Sequence, residues 1–132
     1  MEELTKKQFK FQGKTIEELK ILEVREFAKL MRSRQRRSAL RNFQKIEDFV
    51  SRARKKIEKG KQVKTHYRDL IVVPSMVGMR IQIYNGNKFV PIEIIGEMLG
   101  HTFGEFAPTR ARIQHSKSGV GATKGSKSKA KK

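Results

Sequence analysis

Catalysis needs reactive side chains that converge, and few in this chain are spaced to do so. Glu93 and Glu97 stand four residues apart, as a general acid and base on one helical turn would, but a predicted strand end separates them. Solvated surface carboxylates are the simpler reading. His66, His101 and His115 lie far apart, and Glu97 with His101 lacks the second histidine of a zinc-protease helix. The absence of cysteine excludes a thiolate zinc site, an iron–sulfur centre, a disulfide scaffold and a cysteine nucleophile. The segment 119–127, GVGATKGSK, has the composition of a phosphate loop without its order. Lys124 stands where the second glycine of the motif belongs, no strand precedes the segment and no apolar helix follows it. No enzyme activity, metal site or cofactor is expected, and no small-molecule substrate.

The chemistry that the spacing does support is the binding of a polyanion. Arg32, Arg34, Arg36, Arg37 and Arg41 put five guanidiniums into RSRQRRSALR, with no acid among them. A guanidinium offers planar, forked donors that suit a phosphate bidentately. On a helix, Arg34, Arg37 and Arg41 share one face. A merely solubilising face mixes lysine with glutamate, and here the acids are missing. The 132 residues carry 31 Lys+Arg against 13 Asp+Glu, a formal charge of +18. Such a charge repels itself in a free monomer, and a polyanion relieves it. No apolar run approaches the ~18 residues of a membrane span, and MEELTKKQFKFQ has no secretory apolar core, so no membrane partner is expected.

The elements that must carry these groups follow from periodicity. Hydrophobic residues are 36% of the chain, enough for one modest core. Thr15-x-x-Glu18 has capping-box spacing before Ile16, Leu19 and Leu22. A break near Leu22–Glu23 separates this helix from a second bearing Phe27, Leu30 and Met31. Ser33 is a candidate cap for a third. Ile46, Phe49, Val50, Ala53 and Ile57 form one stripe of a helix over 45–59, with Gly60 as its C-terminal cap. That helix alone would pass as a membrane-surface or partner helix, but its stripe is what a small core needs. Leu70–Val73, stopped by Pro74, reads as a buried strand. Met79, Ile81 and Ile83 alternate with polar positions, as do Val90, Ile92 and Ile94, around Asn85-Gly86. This is a hairpin signal in which both turn residues take positive φ. Pro91 cannot donate to a ladder, so its amide side faces outward. A helical turn over 96–99 closes at Gly100. From Ser116 the chain is Lys, Ser, Gly and Ala and cannot bury a core.

The expected fold is α+β, with a small three-stranded sheet, mostly antiparallel or mixed, and packed helices. A basic helical extension (1–61) precedes a compact core (62–112), and a disordered basic tail (113–132) follows. Two basic arms flanking a nearly neutral centre suit an irregular, folded RNA better than a straight duplex. A chromatin-type compactor of duplex DNA remains the alternative with the same charge.

The centre also carries specific motifs. These are Val63-Lys64-Thr65-His66, Ile71-Val72-Val73-Pro74-Ser75-Met76-Val77-Gly78 and Ile83-Tyr84-Asn85-Gly86. Val90-Pro91-Ile92, Met98-Leu99-Gly100-His101 and Gly104-Glu105-Phe106-Ala107-Pro108-Thr109-Arg110 follow in order. Over about 63–110 the chain resembles the small-subunit ribosomal protein S-nineteen family. The basic front, with Ser33-Arg34-Gln35-Arg36-Arg37 and Lys64-Thr65-His66-x-Arg68-Asp69, resembles its archaeal–eukaryotic branch. The resemblance implies a cytoplasmic structural protein in the head of the small ribosomal subunit. It implies contact with small-subunit ribosomal RNA, pairing with ribosomal protein S-thirteen among other head proteins, and a C-terminal tail towards the decoding region and transfer RNA. Carried over by position, it points to Lys64, His66 and Arg68, to the hairpin tip Asn85, Gly86 and Lys88, and to Gly100 and His101 as RNA contacts. Phe106, Pro108, Thr109 and Arg110 would lead the tail out, and Arg110, Arg112 and Lys117 are further expected RNA contacts. Asp69 is expected to pair with a neighbouring arginine, and Phe106 to anchor in the core. Gly78, Gly100 and Gly104 serve either turn geometry or close approach.

Overall fold

The computed structural model describes residues 8–114 and Gly119. Apart from Gly119, the tail from Ser116, with Lys117, lies outside the described residues.

The first elements are short and cannot persist alone. Strands β1 (Lys10–Phe11) and β2 (Lys14–Thr15) form a hairpin around Gln12-Gly13, with φ of +50° and +79°. Helix α1 (Ile16–Ile21) starts at the capping box: the Thr15 amide donates to Glu18 Oε2 at 2.9 Å, and the Glu18 amide to Thr15 Oγ1 at 3.4 Å. Helix α2 (Val24–Ala28) follows the expected break. What stabilises both is burial: Leu19, Phe27 and Ala28 have no exposed surface.

Helix α3 (Ser33–Arg41) carries the arginine run, and Ser33 is its first turn residue, with Arg32 at the cap position and no side-chain cap bond. Helix α4 (Phe43–Glu58) buries Ile46, Phe49, Val50 and Ala53, the stripe that the spacing predicts; Ile57, at the end of that stripe, is 45% exposed. It ends in paired bonds from Gly60 N–H to the Ile57 carbonyl and from Lys61 N–H to the Lys56 carbonyl, the Schellman pattern.

The main sheet is mixed, in the order β3 (Val63–Thr65), β4 (Arg80–Tyr84), β5 (Phe89–Glu93). Strands β3 and β4 run parallel, with Thr65 opposite Ile83; β4 and β5 are antiparallel, with Tyr84 opposite Phe89 and Gln82 opposite Pro91. Pro91 sits on an edge strand, where a missing amide costs no ladder bond. A parallel pair demands a long crossover, and the chain from His66 to Met79 supplies it. Leu70–Val73 belongs to that crossover and is not a strand. It is buried as expected, but its backbone pairs with the chain at 100–103 and makes only an isolated bridge, Ile71 to Thr102. Val72 N–H donates to the His101 carbonyl, Gly100 N–H to the Val72 carbonyl and Phe103 N–H to the Leu70 carbonyl, at 2.9–3.1 Å. These bonds satisfy a buried irregular segment that would otherwise carry orphaned amides.

The hairpin forms where Asn85-Gly86 predicts it, by a different turn. Only Gly86 has positive φ, +93°. Asn85 instead uses its side chain: Oδ1 accepts from the amides of Asn87 and Lys88 at 3.0 and 2.8 Å. A 3₁₀ turn at Gly96–Met98 and helix α5 (Phe103–Phe106) complete the fold. One hydrophobic cluster runs from Leu19 to Ala107, with Phe11 against Phe27 and Phe49 edge-on to Phe103, each pair 5.5 Å apart. Phe106 is half-buried against it.

Candidate nucleic-acid interface

Sheet pleating divides β3–β5 into two faces. Val63, Thr65, Ile81 and Ile83 point into the core. Lys64, Gln82, Tyr84 and Phe89 therefore point outward. At the end of β3 the Tyr67 amide donates to Thr65 Oγ1 at 3.0 Å, a tight turn that fixes His66 and Tyr67. The His66 ring packs 4.6 Å from Tyr84 and 5.2 Å from Phe89, which are 5.1 Å from each other. Lys64 Nζ stands 5.3 Å from the Phe89 ring. The predicted contacts Lys64 and His66 thus join an aromatic cluster. The hairpin tip beside Tyr84, with Gly86 and Lys88 exposed, extends the same face.

Tyr67 belongs to a second feature, a groove of about 290 Å³ between α4 and β3. Phe49, Ala53 and Val63 form its apolar floor, and Arg52, Lys56, Lys64, His66 and Tyr67 line its sides. Among the described residues no acid lines it. Lys45 Nζ lies 4.2 Å over the Tyr67 ring and is held there by Asp69 at 3.2 Å. Asp69 was expected to pair with an arginine; its partner is Lys45, which α4 brings within reach.

The arginine run divides by role. Arg34, Arg37 and Arg41 are exposed on α3, and among the described residues they form no ion pair. Arg36 turns back on the protein. Its Nε and Nη2 donate to the carbonyls of Ala28, Lys29 and Met31 at 3.1–3.3 Å, satisfying the C-terminal end of α2. Arg32 meets Gly100 and His101 at another groove of about 290 Å³, with Phe11, Gln12 and Gln35 also on its walls. Gly100 takes a φ of +80°, so the turn itself requires glycine, and Met31 and Phe11 lie at ordinary contact distance from it. His101 Nδ1 lies 2.6 Å from Glu105 Oε2, and its ring is edge-on to Phe106 at 6.0 Å.

Arg68 is also turned inward. Nη1 donates to the Tyr84 carbonyl at 2.7 Å, and Nη2 to the carbonyls of Gly104 and Ala107 at 3.0 and 2.6 Å. It ties the end of β4 to α5 and the segment leaving it. Gly104 lies so close that an added Cβ would stand 3.2 Å from the Arg68 carbonyl. Arg110 and Arg112 are exposed beyond α5.

Sequence reasoning did not single out Arg52, Lys56 or Tyr67 as site residues. Arg52 and Lys56 are recognisable as the polar face of α4, but only the packing of β3 beside α4 makes that face a groove wall. Among the described residues no group of three or more His, Asp and Glu could hold a metal ion, and no helix is long and apolar enough to cross a membrane.

A family model described as Ribosomal protein S19 matches residues 32–115, which spans α3 to α5 and every strand of the main sheet. The match covers well over half of the chain and the whole of the motif series in its centre. The chain therefore belongs to the ribosomal protein S19 family, a structural component of the small ribosomal subunit acting in translation.

Proposed function

We propose that this protein binds small-subunit ribosomal RNA in the head of the subunit, in the cytoplasm, as a phosphate-neutralising scaffold. The observation that carries this reading is the exposed row of Arg34, Arg37 and Arg41 on a helix without an acid. The outer sheet face, with Lys64, His66 and Lys88, adds a second contact surface. Arg36 and Arg68 act as positioning residues that hold these surfaces in place, because their guanidiniums are engaged with backbone carbonyls. The segment 1–61 serves as a basic helical front whose helices share one core with 62–112, and 113–132 serves as a basic tail. Pairing with ribosomal protein S-thirteen, and a tail with Lys117 directed to the decoding region and transfer RNA, follow from the family alone.

Salt dependence tests the reading. Each neutralised phosphate releases counterions, so log K falls with log salt by roughly 0.7–0.9 per contact. Replacing Arg34, Arg37 and Arg41 with glutamine should flatten that slope by about 2–3 on a head fragment of small-subunit RNA. A triple variant with the wild-type slope would overturn the assignment of this row.

A further inference from the structure

We propose that the groove between α4 and β3 receives one unpaired nucleotide of RNA, its base on the apolar floor beside Tyr67 and its phosphate between Arg52 and Lys56. The inference rests on the ribosomal-RNA reading and sharpens it from backbone neutralisation to recognition of a single-stranded nucleotide.

The groove has the parts such a ligand needs. Its volume, about 290 Å³, falls at the lower edge of small-molecule pockets, on the scale of one nucleotide. A base offers an apolar planar face, which the exposed Tyr67 ring matches at the side; Phe49, Ala53 and Val63 close the floor beneath it and are themselves buried. A phosphate offers charge, which Arg52, Lys56 and Lys64 meet, and among the described residues no carboxylate lines the groove to oppose it. Bases in a duplex have no free face to give such a groove. Unstacked bases of loops and bulges do, and proteins read them by stacking on aromatic rings.

The groove is also held ready. Tyr67 is 41% exposed, yet its backbone is fixed by the bond from its amide to Thr65 Oγ1 and its ring is held under Lys45. Asp69 keeps Lys45 in place. Arg52 Nε donates to the Asp48 carbonyl at 3.2 Å, which orients its guanidinium without neutralising it. Tyr67 and Arg52 thus enter binding partly ordered, while the exposed Lys56 and Lys64 side chains are ordered on contact with the phosphate.

The test uses the full-length chain and a single-stranded pentaribonucleotide with 2-aminopurine at its centre. Stacking in the groove should quench the probe. Tyr67→Ala should weaken binding about tenfold or more and abolish most of the quench, the scale of one stacked base. Tyr67→Phe should retain both, and the Arg52→Gln/Lys56→Gln pair should weaken binding while leaving the saturated quench intact. Equal binding of the same strand within a duplex, a probe whose emission does not fall on adding protein, or a Tyr67→Ala protein that behaves as wild type would each overturn the proposal. So would binding of poly-glutamate that depends on Arg52 and Lys56 while the pentanucleotide is ignored, which would make the groove an acidic-peptide site. Wild-type protein that fails on the head RNA fragment but still quenches the pentanucleotide would refute the ribosomal-RNA reading and leave the groove assignment intact.

Discussion

Removing the Arg68 fork should cost the fold more than it costs RNA binding. The guanidinium makes three charge-assisted bonds to carbonyls that belong to β4, α5 and the residue after α5. Bonds to a charged donor contribute roughly 1.5–3 kcal/mol each, and neighbouring bonds are not additive. Because Arg68 is only half-buried, water can partly replace it. Arg68→Met should therefore lose about 3 kcal/mol in all. At roughly 1.5 kcal/mol per M, the urea midpoint should fall by about 2 M. The melting temperature should drop by roughly 10 °C for an ordered region of this size. Arg68→Lys separates the two possible roles. It keeps the charge a phosphate would feel but cannot span three carbonyls, so about half of the stability loss should remain. The assays are urea unfolding by circular dichroism and RNA affinity at constant salt. An Arg68→Met protein within about 0.5 kcal/mol of wild type would refute the bracket. So would an Arg68→Lys protein of full stability and reduced affinity, which would return Arg68 to the RNA surface.

Gly96 tests how the amino-terminal hairpin is docked. A Cβ there would stand 2.7 Å from Phe9 Cδ1 and 2.9 Å from Ile16 Cδ1, so Gly96→Ala should destabilise by about 1–3 kcal/mol and loosen residues 9–16 in hydrogen exchange. Asn85→Ala removes the acceptor of two turn amides and should cost about 1 kcal/mol in urea unfolding, with little effect on residues of α1. Phe103→Ala empties a fully buried site edge-on to Phe49 and should cost about 3–5 kcal/mol by thermal melting.

Where a residue pattern is long or its chemistry local, the fold was legible in the sequence. The α4 stripe spans four turns and reports one face without help from the rest of the chain. The Thr15–Glu18 capping box is satisfied within its own turn. The Leu70–Val73 run misled because burial on all sides looks the same in a strand and in a buried crossover. What distinguishes them is pairing with the chain at 100–103, which sequence spacing does not report. The true third strand, Val63–Thr65, has only three residues and shows one buried–exposed–buried alternation. The β1–β2 hairpin left the trace of a Gln-Gly turn between Phe11 and Thr15, too short for periodicity to register. The site divides in the same way. Residue type announced arginines able to bind phosphate, but which of them face solvent depends on carbonyls that are distant in sequence. Arg68 reaches 39 residues along the chain to Ala107.

That division bears on how a chain of +18 can fold and still attract a polyanion. An arginine paired with a carboxylate holds two parts of a fold together and loses its field. Among the described residues Lys45, with Asp69, is the one lysine or arginine paired in this way. Arg36 and Arg68 are bonded to backbone carbonyls, which satisfy the donors and carry no net charge. Each remains a full positive charge after its geometric task is done, and the potential that draws in RNA is undiminished. The same guanidinium thus contributes to cohesion and to long-range attraction. Lysine in its place would preserve the second contribution and forfeit much of the first, because a single ammonium cannot reach carbonyls on three segments at once.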